Sequence, residues 1–147
     1  MSTITPNVNS YTWSVFSDAA WDASTGNYGL GWQLRDSDGL VAEGSSSHRR
    51  FVPLALVAEA LAVKAAVTAA VSSHVNSLKV FSDSKALILL LKSQGQDVVL
   101  IGILHDIHML AHSFTFISFN FILRLANTQT DSIAKSSLYY LRSSASE

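Results

Sequence analysis

Hydrophobic residues fall in short runs near both ends of the chain and in one long block between them. Tyr11 to Asp18 (YTWSVFSD) is rich in aromatic and β-branched residues and predicts a strand that closes on a carboxylate. Asp22 to Asn27 (DASTGN) is turn chemistry, and Tyr28 to Arg35 alternates around two glycines as a second strand does. Asp36-Ser37-Asp38-Gly39 predicts a tight turn into a third strand, Leu40 to Ser46, followed by a loop over Ser47 to Val52. Pro53 suits a first helical turn, where its missing N–H costs nothing, and the block from there to Val71 is Ala, Leu and Val at helical length. A helix apolar nearly all round is buried on several sides. Ser77 to Ser82 predicts a strand before Asp83, Ser84 to Ser93 a helix stopped by Gln94-Gly95, and Val98 to Ala111 another helix. Phe114 to Leu123 reads as a strand, and Asn127 as the N-cap of a last helix over Thr128 to Leu141.

The order β-β-β-α-β-α-α-β-α defines an α/β fold. Hairpins join the first three strands antiparallel, and a helical crossover allows the next two to be parallel. The expected architecture is a mixed five-stranded sheet flanked by helices. Residues 1–10 read as a polar lead-in, 11–142 as one domain and 143–147 as a tail. At 147 residues the chain can bury enough surface to need no staple. It has no cysteine, which removes disulfides, thiolate zinc sites, iron–sulfur clusters and cysteine nucleophiles.

Apolar residues make up 48% and charged residues 14%, which excludes a disordered charged tail. The net charge of −1 provides no basic field to hold nucleic acid non-specifically, so any such role needs a local site with metal cations. The N-terminus, MSTITPNVNSYTW, has neither the basic start nor the apolar core of a signal peptide. Leu54 to Val71 carries Glu59 and Lys64, each costing about 2.5–3.5 kcal/mol at a bilayer centre, so it reads as a core helix with no membrane partner.

The tetrapeptide Val-Phe-Ser-Asp occurs twice, at 15–18 and 80–83. Side by side and parallel, two such strands would bring Asp18 and Asp83 to one edge, roughly 4.8 Å apart, near enough to share a cation. Hard oxygen ligands suit Mg²⁺ or Mn²⁺. The alternative is that each aspartate caps the turn or helix after it, Asp83 above all. Glu59 has no Lys or Arg at i±3 or i±4 to pair with. It fits a helix pointing its carboxylate at the same metal, or else a solvated stripe. Asp131 stands in the first turn of the last helix, where the dipole alone would favour it. Four carboxylates from four elements at one sheet edge would make a two-metal site.

These landmarks resemble a known family. FSDAAWDASTGNYGLGWQLRDSDG (16–39), AEALAVKAA (58–66), VFSDSKALI (80–88) and RLANTQTDSIAKSSL (124–138) are similar to the type 1 ribonuclease H fold. They look most like the ribonuclease H-like domain of plant retroelement reverse transcriptases. The resemblance runs over roughly residues 13–141. It implies catalytic metal ligands at Asp18, Glu59, Asp83 and Asp131, and two Mg²⁺ ions, with Mn²⁺ able to substitute. It implies endonucleolytic hydrolysis of the RNA strand of RNA–DNA hybrids, one metal generating the attacking hydroxide and the other stabilising the leaving 3′ oxygen. Nucleic-acid contacts would fall at Ala19, Asn127 and Arg124, with the hybrid read by shape and 2′-hydroxyls. A monomer acting inside the cell, in nucleus or cytoplasm, is expected.

The chain departs from the family pattern in ways that open another reading. The stretch 125–130 (LANTQT) lacks the histidine that active members carry before the last aspartate, and Phe121 stands where many plant relatives show a histidine. Ala19 replaces a common glycine, and the lysine-rich protrusion of some bacterial members is missing. The alternative is a weak or inactive nucleic-acid-binding module derived from a retroelement. A 3′–5′ exonuclease would need Asp-x-Glu on the first strand, where Ala20 stands.

Other signals carry less. His105, His108 and His112 share a helix face and read as solvated, since a metal there needs more ligands. His48-Arg49-Arg50 is the one basic cluster, in a hydrated loop or against a phosphate. Gly29-Leu30-Gly31 is not a dinucleotide fingerprint, because position 34 is Leu and a strand follows.

Overall fold

The computed structural model describes residues 11–49 and 54–124. Strands β1 (Trp13–Trp21), β2 (Tyr28–Arg35) and β3 (Val41–Arg49) are followed by helix α1 (Ala55–Ser72) and β4 (Ser77–Ser82). Helices α2 (Lys85–Ser93) and α3 (Ile101–Ala111) then lead into β5 (Phe116–Phe121). The five strands form one sheet in the order β3-β2-β1-β4-β5. Pairing is antiparallel for β1–β2 and β2–β3 and parallel for β1–β4 and β4–β5. This is the mixed sheet the sequence predicts. The predicted last helix, with Asn127 and Asp131, lies outside the described residues, as do the lead-in, Pro53 and the tail.

Local chemistry sets the turns. Between β1 and β2, Gly26 takes φ +76 and its N–H donates to the Asp22 carbonyl at 2.8 Å. Between β2 and β3, Gly39 takes φ +83 while Asp36 Oδ1 accepts from the N–H groups of Asp38 and Leu40, each at 3.0 Å. Both glycines occupy backbone conformations that side chains resist.

Helix α1 packs against β1, β2 and α3. By length and composition it would cross a membrane, yet eight of its residues, Ala58, Ala62, Val63, Ala66 and Val67 among them, are buried. They meet Val15, Leu30, Leu34, Leu78 and Val80 in the core. Small side chains on α1 allow the helix to sit close over the sheet. Across the parallel pair, Phe16 and Phe81 stack with centroids 4.9 Å apart, and the Arg35 guanidinium lies 4.9 Å from the Phe16 ring centre.

Beside shifts of one or two residues elsewhere, such as β5 at Phe116–Phe121, three boundaries differ from the sequence expectation by more. β1 continues past Asp18 to Trp21, because its ladder with β2 runs on through Asp18↔Gly31, Ala19↔Leu30, Ala20↔Gly29 and Trp21↔Tyr28. β3 takes in Ser47, His48 and Arg49, which pair with Leu30, Gly29 and Tyr28, so the predicted loop begins later. Helix α3 starts at Ile101, since Asp97 Oδ1 accepts from the N–H groups of Val99 and Leu100 and holds those residues in a turn.

Candidate active site

The β1–β4 ladder ends at Ser17↔Ser82. Asp18 and Asp83 are therefore the next residues on neighbouring parallel strands, released together where the two backbones part. Asp18 keeps its antiparallel partner Gly31, which presents no side chain beside it. Glu59 arrives from the second turn of α1. One carboxylate oxygen from each of Asp18, Glu59 and Asp83 lies within 4.8 Å of the other two.

The three acids are withdrawn from water. Asp18 is fully buried, and its Oδ1 accepts the Ala19 N–H at 2.8 Å. The Asp83 side chain is 4% exposed, and its Oδ2 accepts from Arg124 Nε at 3.3 Å. Glu59 Oε2 is buried with no hydrogen-bond partner among the described residues. Burial first, and the neighbouring Asp83 charge second, push the Glu59 carboxyl up to about 8 from its ordinary 4.5, against the lowering influence of the Asp18 side chain, Arg124 and the Ala19 amide. Neither bland reading fits. Asp83 is not the cap of α2, a position held by Ser84 with no side-chain cap bond, and Glu59 is not a solvated stripe.

A divalent cation suits this donor set. It removes the mutual repulsion and gives Glu59 Oε2 a partner. All three donors are carboxylate oxygens, the preference of Mg²⁺ and Mn²⁺ rather than zinc.

The other expected contacts fare differently. Ala19, expected to bear on a backbone contact with the RNA strand, is 8% exposed, and its N–H donates to Asp18 Oδ1. Arg124 sits at the centre itself, paired with Asp83. Its place in the ion pair was not visible in the sequence, because 41 positions separate the partners. Asn127 and Asp131 lie outside the described residues. His108, read as solvated, has its Nε2 buried.

Sheet order, crossover and acidic edge together define a ribonuclease H-like fold of the type 1 kind. The chain belongs to the reverse transcriptase-like family, whose sequence profile matches residues 16–137. Among solved structures it is similar to the N-terminal RNase H domain of Rv2228c from Mycobacterium tuberculosis, with a TM-score of 0.84 and 22% identity, covering 92% of this chain and 99% of that one. It is also similar to RNase H1 from the halophilic archaeon Halobacterium salinarum NRC-1, with a TM-score of 0.81 and 21% identity over 86% of this chain and 97% of that one. LC11-RNase H1 in complex with RNA/DNA hybrid matches with a TM-score of 0.79 and 16% identity, covering 88% and 98%. No curated protein sequence matches the chain.

Proposed function

We propose that the chain hydrolyses the RNA strand of RNA–DNA hybrids with divalent metal held by Asp18, Glu59 and Asp83, and with Asp131 as a fourth ligand. The observation that carries this reading is the meeting of three buried carboxylates, with Glu59 Oε2 unpartnered among the described residues, at the end of the β1–β4 ladder. The likeness to LC11-RNase H1, solved with an RNA/DNA hybrid, supports the substrate class.

In this reading Asp18, Glu59 and Asp83 would hold a divalent cation, which when bound would supply charge neutralisation at the phosphodiester and a more acidic water. The chain's own residues set the conditions. Asp18 is fixed by its strand partner Gly31 and the Ala19 amide, so one ligand is held before anything binds. Glu59 gives up its proton on loading, because a cation favours the carboxylate that burial disfavours. Arg124 holds Asp83 in place and would share that carboxylate with a bound cation. Hydrolysis would form one P–O bond to the water oxygen, break the bond from phosphorus to the 3′ oxygen of the RNA, and deliver the water's proton overall to that leaving oxygen.

A labelled RNA–DNA hybrid incubated with Mg²⁺ or Mn²⁺ tests this. Cleavage by the parent chain and its loss, by about a hundredfold or more, in Asp83→Asn are expected. Binding of the hybrid without cleavage at either metal would overturn it in favour of a binding module.

A further inference from the structure

The sheet ends on β3, whose outer edge meets no other strand among the described residues. Every residue from Val41 to Ser47 is exposed. A bare edge presents outward N–H and C=O groups that can pair with another strand, and proteins guard such edges with lysine, proline or a bulge. In β3 the irregularity stands at the start, where the register with β2 shifts between Leu34 and Arg35. From Glu43↔Leu34 to Arg49↔Tyr28 the ladder runs without a break. Between those ends stand Gly44, Ser45, Ser46, Ser47 and His48, with no lysine and no proline. Four of the five are glycine or serine, so little bulk keeps a second strand away.

Charge names the partner. The regular stretch opens on an acid, Glu43, and closes on a base, Arg49, each three residues from Ser46. Laid antiparallel on itself about Ser46, it sets Glu43 opposite Arg49 of a second copy, and does so twice. Positions six apart fall on one face of a strand, so both pairs share a face. Glu43 Oε2 accepts from Ser73 Oγ at 3.0 Å, which marks that face as the α1 side. Sliding the register by two residues in either direction loses both pairs, so the charges specify a single alignment. With a net charge of −1, two copies repel each other little.

We propose that two copies of this chain join edge to edge through β3, antiparallel about Ser46, into one ten-stranded sheet held by reciprocal Glu43–Arg49 pairs. Ser46 shares a cross-strand row with Gly31 and Asp18. The two acidic centres would therefore stand in one row, five strand spacings or roughly 24 Å apart. A dimer of this kind departs from the expected monomer and stands whether or not the acids cleave RNA.

Sedimentation equilibrium of the full chain over a range of concentrations reads the association. A monomer–dimer equilibrium is expected, weakened about tenfold or more by Glu43→Lys and likewise by Arg49→Glu, since each change turns two attractive pairs into two repulsive ones. Both swaps in one chain restore the attraction and are expected to recover the parent affinity. Because the chain has no cysteine, Ser46→Cys supplies one thiol per copy at the dyad, where antiparallel neighbours stand about 4.5–5.5 Å apart, within disulfide range. Mild oxidation is expected to link this variant into a dimer, and to link it more slowly when Glu43→Lys is added. A parent chain still monomeric at about 0.5 mM, a dimer unmoved by both single swaps, a double swap that does not recover association, or a Ser46→Cys chain that does not cross-link would overturn the proposal.

Discussion

In the proposed function Glu59 serves as a charged ligand, in a place that favours its neutral form. Its folded value of about 8 lies above the ordinary 4.5, so between those pH values the metal-free folded protein holds a proton that the unfolded chain has released. Stability is therefore intact at low pH and drains away as pH rises from the lower value through the higher. Glu59→Gln is expected to raise the unfolding midpoint in EDTA at pH 8 and leave it nearly unchanged at pH 4, the cost relieved at pH 7 being up to about 3 kcal/mol. Calorimetric scans at the two pH values check this. With Mg²⁺ added, the parent gains stability by mass action and the variant gains less. Arg124 gives a companion test. Its side chain is 67% exposed and would compete with a cation for Asp83, so Arg124→Ala is expected to lower the Mg²⁺ concentration for half-maximal hybrid cleavage a few-fold. The two aspartates of the centre were readable because one tetrapeptide occurs twice, and Glu59 because no cation stood one turn away. The Arg124 contact and the enclosure of Asp18 inside a continuing strand were not, since both depend on partners far off in sequence.

Helix α1 shows what an element contributes beyond its own pattern. Its alanines at 58, 60, 62, 66 and 70 are fully buried, so the distance from helix to sheet, and with it the reach of Glu59, is set by methyl groups. Ala66→Leu is expected to cost about 1–3 kcal/mol, read as a lower urea midpoint with an unchanged slope, because the added bulk must lift the helix or force strained rotamers. All the elements described are those the hydrophobic pattern predicts. Their ends are not. β1 and β3 run on past their predicted limits because β2 offers ladder partners, and a polar edge strand such as Ser45-Ser46-Ser47 carries little signal of its own. Asp97 shortens α3 by capping a turn that the apolar run Val98-Val99-Leu100 conceals.

At the scale of the molecule, the order of hairpins and crossover predicts a mixed sheet, because connection rules leave few arrangements for such a chain. Register was beyond that reasoning, and register is what brings the acids together. It also lays like upon like: Val15 faces Val80, Phe16 faces Phe81 and Ser17 faces Ser82. Stacking identical residues between parallel strands is the arrangement by which fibrils grow. Native folding satisfies that tendency inside one molecule. Once heat separates the two segments, each chain displays a matched pair of sticky templates to its neighbours, so thermal denaturation is expected to become irreversible as protein concentration rises, seen as light scattering on heating and a failed second scan.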